Sequence, residues 1–159
     1  MWFLEVDIAV RLIAATALWS LASYLARRFY SQAKLDRFLV VLDLVLIAYV
    51  SAWLAVFYAV YTLVTWVIVN AVSGVKRGRS AVFVLCCLLC AVPFFYVRVQ
   101  EIAPELPLFL ALTGIAYNML KAIDAVYYVH YTEERVPLVT YANYMLFFPV
   151  ITAGPILRY

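Results

Sequence analysis

The stretch LTGIAYNMLKAIDAVYY places Asn118, Lys121 and Asp124 three residues apart inside an otherwise apolar run. Residues at i and i+3 meet on one helix face, so these side chains form one polar stripe, with Tyr117 and Tyr128 close to it. Two uses suit such a stripe. Lys121 and Asp124 can neutralise each other against a neighbouring helix, or the stripe can line a polar cavity. A charged side chain at the centre of a membrane helix costs ~2.5–3.5 kcal/mol on insertion scales. Either use therefore requires protein neighbours rather than lipid.

The segment FFPVITAGPILRY (Phe147–Tyr159) carries a second group of informative residues. Pro149 lacks a backbone N–H and clashes with the preceding turn. Gly154 tolerates positive φ, and Pro155 biases it away from helical geometry. These residues predict a helix broken after Phe148 and again at Ala153–Pro155. Non-helical backbone at membrane depth is tolerated where protein or a water-filled cavity satisfies it, so the segment is expected to line an interior. Arg158, beside Tyr159, then either offers a fixed guanidinium to a phosphate or carboxylate or anchors a kinked helix at the headgroups.

Other reactive types are sparse. His130 is the sole histidine, and it sits among Tyr127, Tyr128 and Tyr131. Alone, it completes neither a nucleophile–base pair nor a metal-ligand set. Cys86, Cys87 and Cys90 lie in VFVLCCLLCAV, where Cys packs as a small, soft residue. Asp43 and Asn70 stand in long apolar runs, Asn70 as a candidate for hydrogen bonding between helices. No P-loop, G-x-G-x-x-G or G-x-S-x-G occurs. The chain itself offers no catalytic residue and no metal ligand set.

The elements that must carry these residues follow from composition. The chain has 159 residues, of which 69% are hydrophobic and 13% charged, against ~45–50% apolar and ~25% charged in soluble domains. A domain of this size cannot hide so much apolar surface from water. The reading is an all-α integral membrane protein, a polytopic helical bundle in a single transmembrane domain. About five to six membrane segments are expected, the last broken or re-entrant. The net charge is +3, with no basic stripe of interleaved aromatics, which argues against nucleic-acid binding.

A first span is predicted from Ile8 to about Tyr24. Phe38–Val72 would reach ~53 Å as one helix, so it is expected to divide near Tyr49–Trp53. Ser80–Val97 and Leu108–Tyr128 follow, separated by QEIAPELP, and Leu138 begins the last segment. RRFYSQAKLDR (Arg27–Arg37) and VKRGR (Val75–Arg79) read as basic cytoplasmic loops. The region from Phe38 to Val72 is then a hairpin and the N-terminus lies outside. Glu5 and Asp7 replace the positive region of a cleaved signal. Trp2, Tyr30, Tyr96 and Tyr131 fall near predicted span ends, as anchoring aromatics do.

YANYMLFFPVITAGPILRY resembles the F-P-x-x-x-x-G-P-I-x-R-Y signature of the membrane-bound O-acyltransferase (MBOAT) family, and LPLFLALTGIAYNMLKAIDAVYYVHYTEE resembles the helix that precedes it there. The likeness covers Leu106–Tyr159. It points to the bacterial branch that O-acetylates alginate or peptidoglycan or serves teichoic-acid D-alanylation. Two departures stand out: Ala125–Tyr131 reads AVYYVHY where the family has an Ile-Asp-Val-Tyr-like run, and the acid sits at Asp124. The family's catalytic histidine lies far downstream of the signature, so His130 does not correspond to it.

The resemblance implies an N-terminal fragment of a longer enzyme in the bacterial cytoplasmic membrane. Its acyl donor would be acyl-CoA or an acyl-carrier-linked group, as substrate, and its acceptor a hydroxyl of a cell-surface polysaccharide. Asn118, Lys121, Asp124, Pro149, Gly154, Pro155, Arg158 and Tyr159 would line the passage or bind substrate. Besides the bilayer, the expected partners are the C-terminal half of the enzyme or a membrane or secreted acyltransferase subunit. Two other classes suit the same residues: a non-catalytic membrane subunit packing through the polar stripe, and a small transporter with Lys121–Asp124 as a gated pair.

Overall fold

The computed structural model describes residues 6–75, 78–102 and 114–150, and all regular structure in them is helical. In chain order the helices are α1 (Val6–Phe29), α2 (Gln32–Val50), α3 (Ala52–Ser73), α4 (Arg79–Ile102), α5 (Ile115–Thr132) and α6 (Leu138–Leu146), followed by a 3-10 turn at Phe148–Val150. They belong to two compact units. The first contains α1, α2, α3 as far as Thr62, α6 from Val139, and the 3-10 turn. The second contains α3 from Leu63, then α4 and α5.

In the first unit, α1 packs on α2, and both touch the 3-10 turn. The basic stretch expected as a loop is mostly helical. Arg27 and Arg28 form the last turn of α1, where cations meet the carbonyl end of the helix. Only Tyr30 and Ser31 separate the two helices. Ser31 is extended (φ −67°, ψ 156°), and its carbonyl accepts from the amides of Lys34 and Leu35 at 2.9 Å each. Tyr30 stacks on Phe38 of α2, with ring centroids 5.7 Å apart.

The division expected between Tyr49 and Trp53 occurs at Ser51, with no Gly or Pro to cause it. Ser51 is extended (φ −160°, ψ 118°) and its amide donates to Ile47 O, closing α2. Its carbonyl accepts from Ala55 N at 3.1 Å, and its hydroxyl receives Leu54 N in a long 3.4 Å bond, opening α3. One serine thus caps a helix on each side, a role for which its short polar side chain suits it.

In the second unit, α4 packs along α5. α4 passes through Pro93 without ending, and runs beyond the expected Val97. α5 opens after Gly114, whose φ of 82° belongs to the left-handed region that glycine enters without steric penalty. Its expected start at Leu108 lies outside the described residues. At the other end α5 outlasts the predicted Tyr128, so His130 and Tyr131 are helical residues rather than loop residues.

Among the described residues, two helices are long and apolar enough to cross a membrane: Ala52–Ser73 and Arg79–Val99. Only 33% and 17% of their most apolar windows are buried within the chain. Val56, Val60, Val67, Leu85, Leu88 and Val92 on these helices are all more than half exposed. α6, with nine residues, spans ~14 Å at 1.5 Å per residue and is too short to cross alone.

Candidate functional site

The stripe on α5 is internal. Asn118 and Lys121 are fully buried, and Asp124, one turn further, is half-buried. Asn118 is held by its own helix: its amide N–H and its side-chain Nδ2 both donate to Gly114 O, at 3.0 and 3.2 Å. That leaves Oδ1, buried and without a hydrogen-bond partner among the described residues. Buried acceptors are normally satisfied, so this oxygen can take a hydroxyl or N–H. The Lys121 ammonium lies 5.0 Å from the centroid of the Tyr117 ring, a cation–π arrangement worth ~0.5–2 kcal/mol depending on desolvation. Beside the stripe, Ala122, Ala125, Val126 and Val129 are fully buried.

The Phe-Pro segment is broken, with the helix ending two residues earlier than the predicted Phe148. α6 stops at Leu146, Phe147 is non-helical, and Pro149 sits inside the 3-10 turn. The break frees the Phe148 amide from the helical ladder, and Asp43 of α2 captures it: Oδ1 accepts Phe148 N at 3.1 Å. The same oxygen accepts the indole Nε1–H of Trp19 on α1 at 2.8 Å. Asp43 is 1% exposed and Phe148 3%. The Phe147 ring meets Trp19 edge-on, with centroids 5.0 Å apart and planes at 89°. Asn143 on α6 ties this helix to α2 by donating to Asp36 O at 3.0 Å. A buried carboxylate is costly unless hydrogen-bonded, and here two N–H donors meet it in charge-assisted bonds. Gly154, Pro155, Arg158 and Tyr159, and with them the second predicted break, lie outside the described residues.

A third polar group fixes the loop after α5. Asn70 near the end of α3 accepts Val136 N at Oδ1 (2.9 Å) and donates from Nδ2 to Val136 O (3.2 Å). Trp66, one turn earlier, also donates to Val136 O at 2.8 Å. Arg79, at the start of α4, pairs with Glu133 and donates to the carbonyls of His130 and Val129. Those carbonyls belong to the last turn of α5, where carbonyls run out of helical amide partners, so Arg79 caps the helix where a cation is favoured. Glu133 itself closes α5 with φ 62° and an amide bond to Val129 O.

The remaining candidates serve packing. The His130 ring lies against Phe83 at 4.7 Å and Tyr131 at 5.2 Å, and its backbone carbonyl, not its imidazole, meets Arg79. Cys86 and Cys90 are buried, and Cys86 reaches the Ile68 carbonyl at 3.6 Å, against α3. Asn70 was expected to bond across helices; it bonds instead from a helix to a loop.

Asp43 stands alone in a long apolar run, which marks it as a buried acid but does not name its partners. Its partners lie 24 and 105 residues away, and no local pattern links them. The detectable signal was the coincidence of one carboxylate in an apolar helix with one helix break that must release an amide. Comparisons with protein-family profiles, curated proteins and solved structures find no match for this chain.

Proposed function

We propose that this chain is the N-terminal membrane portion of an O-acyltransferase of the MBOAT type. In this reading it lies in a cytoplasmic membrane with its N-terminus outside. It crosses that membrane in five to six segments, and α3 and α4 are the clearest of them. The observation that carries the reading is the order of features along the chain. A helix with a fully buried Asn118 and Lys121 is followed, after a pinned loop, by a Phe-Pro break. This is the order in which the family resemblance places its polar helix and its F-P…G-P-I-x-R-Y signature.

Membrane residence is supported by the exposed apolar faces of α3 and α4, since a helix in the core of a soluble protein is mostly buried. The chemistry proposed is transfer of an acyl group, from acyl-CoA or an acyl-carrier-linked donor, to a hydroxyl on a polysaccharide across the membrane. The acyl carbon–oxygen bond forms as the donor's thiol leaves. A histidine supplied by the C-terminal part, or by a partner subunit, takes the hydroxyl proton as general base. Residues of this chain would orient: the Asn118 oxygen accepts a hydroxyl or N–H, and Arg158 holds an anionic group of the donor.

The test is transfer of radiolabelled acetyl from acetyl-CoA or an acyl carrier to polysaccharide, in proteoliposomes holding the protein encoded by the whole open frame around this segment. Arg158→Ala should reduce kcat/KM by about tenfold or more at unchanged expression, the loss expected when a charged group on the donor loses its partner. Absence of transfer, together with flux of small solutes across the vesicles, would favour a transporter. Absence of both would leave the non-catalytic subunit.

A further inference from the structure

The Asp43 carboxylate is almost completely buried, and two of its donors come from distant parts of the chain: the Trp19 indole on α1 and the Phe148 amide just past the end of α6. The amide is a free donor only because the chain breaks before Pro149. We propose that Asp43 is the positioning residue of the Phe-Pro break. Its Oδ1 fixes where the chain leaves α6. The role in acyl transfer rests on the function proposed above; the anchoring itself does not.

Three features suit the site to Asp. These two donors converge on a single oxygen, Oδ1, so a short side chain with two lone pairs on one atom suits the site. A neutral hydroxyl would meet two N–H groups with weaker bonds than a carboxylate. The Trp19 ring also closes one side of the site by its edge contact with Phe147, so indole and carboxylate together hold both residues that precede the proline. Replacing Asp43 by an apolar residue strands a buried N–H on Phe148 and another on Trp19. Asp43→Asn keeps one acceptor oxygen in the same place at nearly the same volume, and therefore keeps much of the anchor.

The experiment measures amide hydrogen exchange in the full chain in lipid nanodiscs, on proteolytic peptides covering Phe147–Val150. The unsubstituted protein should protect the Phe148 amide. Asp43→Leu should accelerate its exchange about ten- to a hundredfold, as loss of a charge-assisted hydrogen bond implies. Asp43→Asn should stay within about tenfold of the unsubstituted rate, which a general loss of packing would not reproduce. Should Asp43→Leu fail to fold, Trp19→Phe provides a second arm: it keeps an aromatic ring against Phe147, removes one donor, and should leave Phe148 protected. Equal exchange in the unsubstituted protein and folded Asp43→Leu would overturn the anchor. So would loss of protection in Asp43→Asn equal to that in Asp43→Leu, or loss of Phe148 protection in Trp19→Phe.

In an enzyme shown to transfer acetyl groups, Asp43→Leu should lower kcat by about tenfold or more and Asp43→Asn recover most of it. Equal activity of all three would overturn the positioning role while leaving the acyltransferase reading intact. A chain with no transfer at all, yet with the exchange pattern described, would retain Asp43 as the anchor and remove only the proposed reaction.

Discussion

Asn70 occupies both backbone groups of Val136, and the two partners lie 66 residues apart. An isolated Asn in a hydrophobic helix suggests a hydrogen bond, but not with what. The answer is a loop residue that is 3% exposed, where water cannot replace the lost partner. Asn70→Leu should therefore cost ~1–3 kcal/mol for the stranded Val136 amide, with Trp66 still holding the carbonyl. Glu133 presents the opposite case. Its side chain is 69% exposed, and exposed ion pairs contribute about 0–1 kcal/mol, so Glu133→Gln should be nearly silent. Thermal unfolding of the detergent-solubilised chain separates them, at about 2–4 °C per kcal/mol for a protein of this size. Equal shifts for the two variants would show that the loop is not held through Asn70.

At the scale of elements, hydropathy located the described helices but misplaced several ends. The interruption near Tyr49–Trp53 followed from a length argument: an apolar run too long for one span must divide. Its agent, Ser51, was not apparent, because a serine in a helical run is more often a tolerated residue than a double cap. The α1–α2 connection was obscured for a different reason. Polar and basic residues from Arg27 to Arg37 suggest a loop, yet good helix formers such as Gln32, Ala33 and Lys34 continue the chain as helix once Ser31 has turned it. The Phe-Pro break was legible because proline's missing N–H acts locally. The carboxylate that receives the freed amide was not, because that contact is tertiary. Ser51 provides the sharpest test at this scale. Proline there cannot adopt φ −160° and loses the amide bond to Ile47 O, so Ser51→Pro should destabilise by ~3 kcal/mol or more. Ser51→Ala removes only the long 3.4 Å hydroxyl bond and should cost ~1 kcal/mol or less. Circular dichroism melts of both variants decide it. Similar melts would mean that the division between α2 and α3 does not depend on this residue's backbone geometry.

For the molecule as a whole, the distribution of charge makes a claim about orientation that hydropathy does not. Arg27, Arg28, Lys34 and Arg37 gather around the α1–α2 connection, and Lys76, Arg77 and Arg79 precede or open α4. Basic residues close to the ends of membrane segments are the ones that determine sidedness. Glu101 and Glu105 flank the far end of α4. A helix of 24 residues is ~36 Å long at 1.5 Å per residue, more than the hydrocarbon thickness of ~30 Å, so the ends of α4 fall on opposite sides if it spans. With Cys86, Cys87 and Cys90 replaced by alanine, single cysteines at Arg28, Ser80 and Pro104 report the arrangement. In vesicles with the outer face exposed, Pro104→Cys should react with a membrane-impermeant maleimide before permeabilisation. Arg28→Cys and Ser80→Cys should react only after it. Labelling of Arg28→Cys and Ser80→Cys from opposite faces would place an odd number of crossings between the basic clusters. The division of α2 from α3 at Ser51 would then be a bend within one path across the bilayer, rather than the apex of a hairpin.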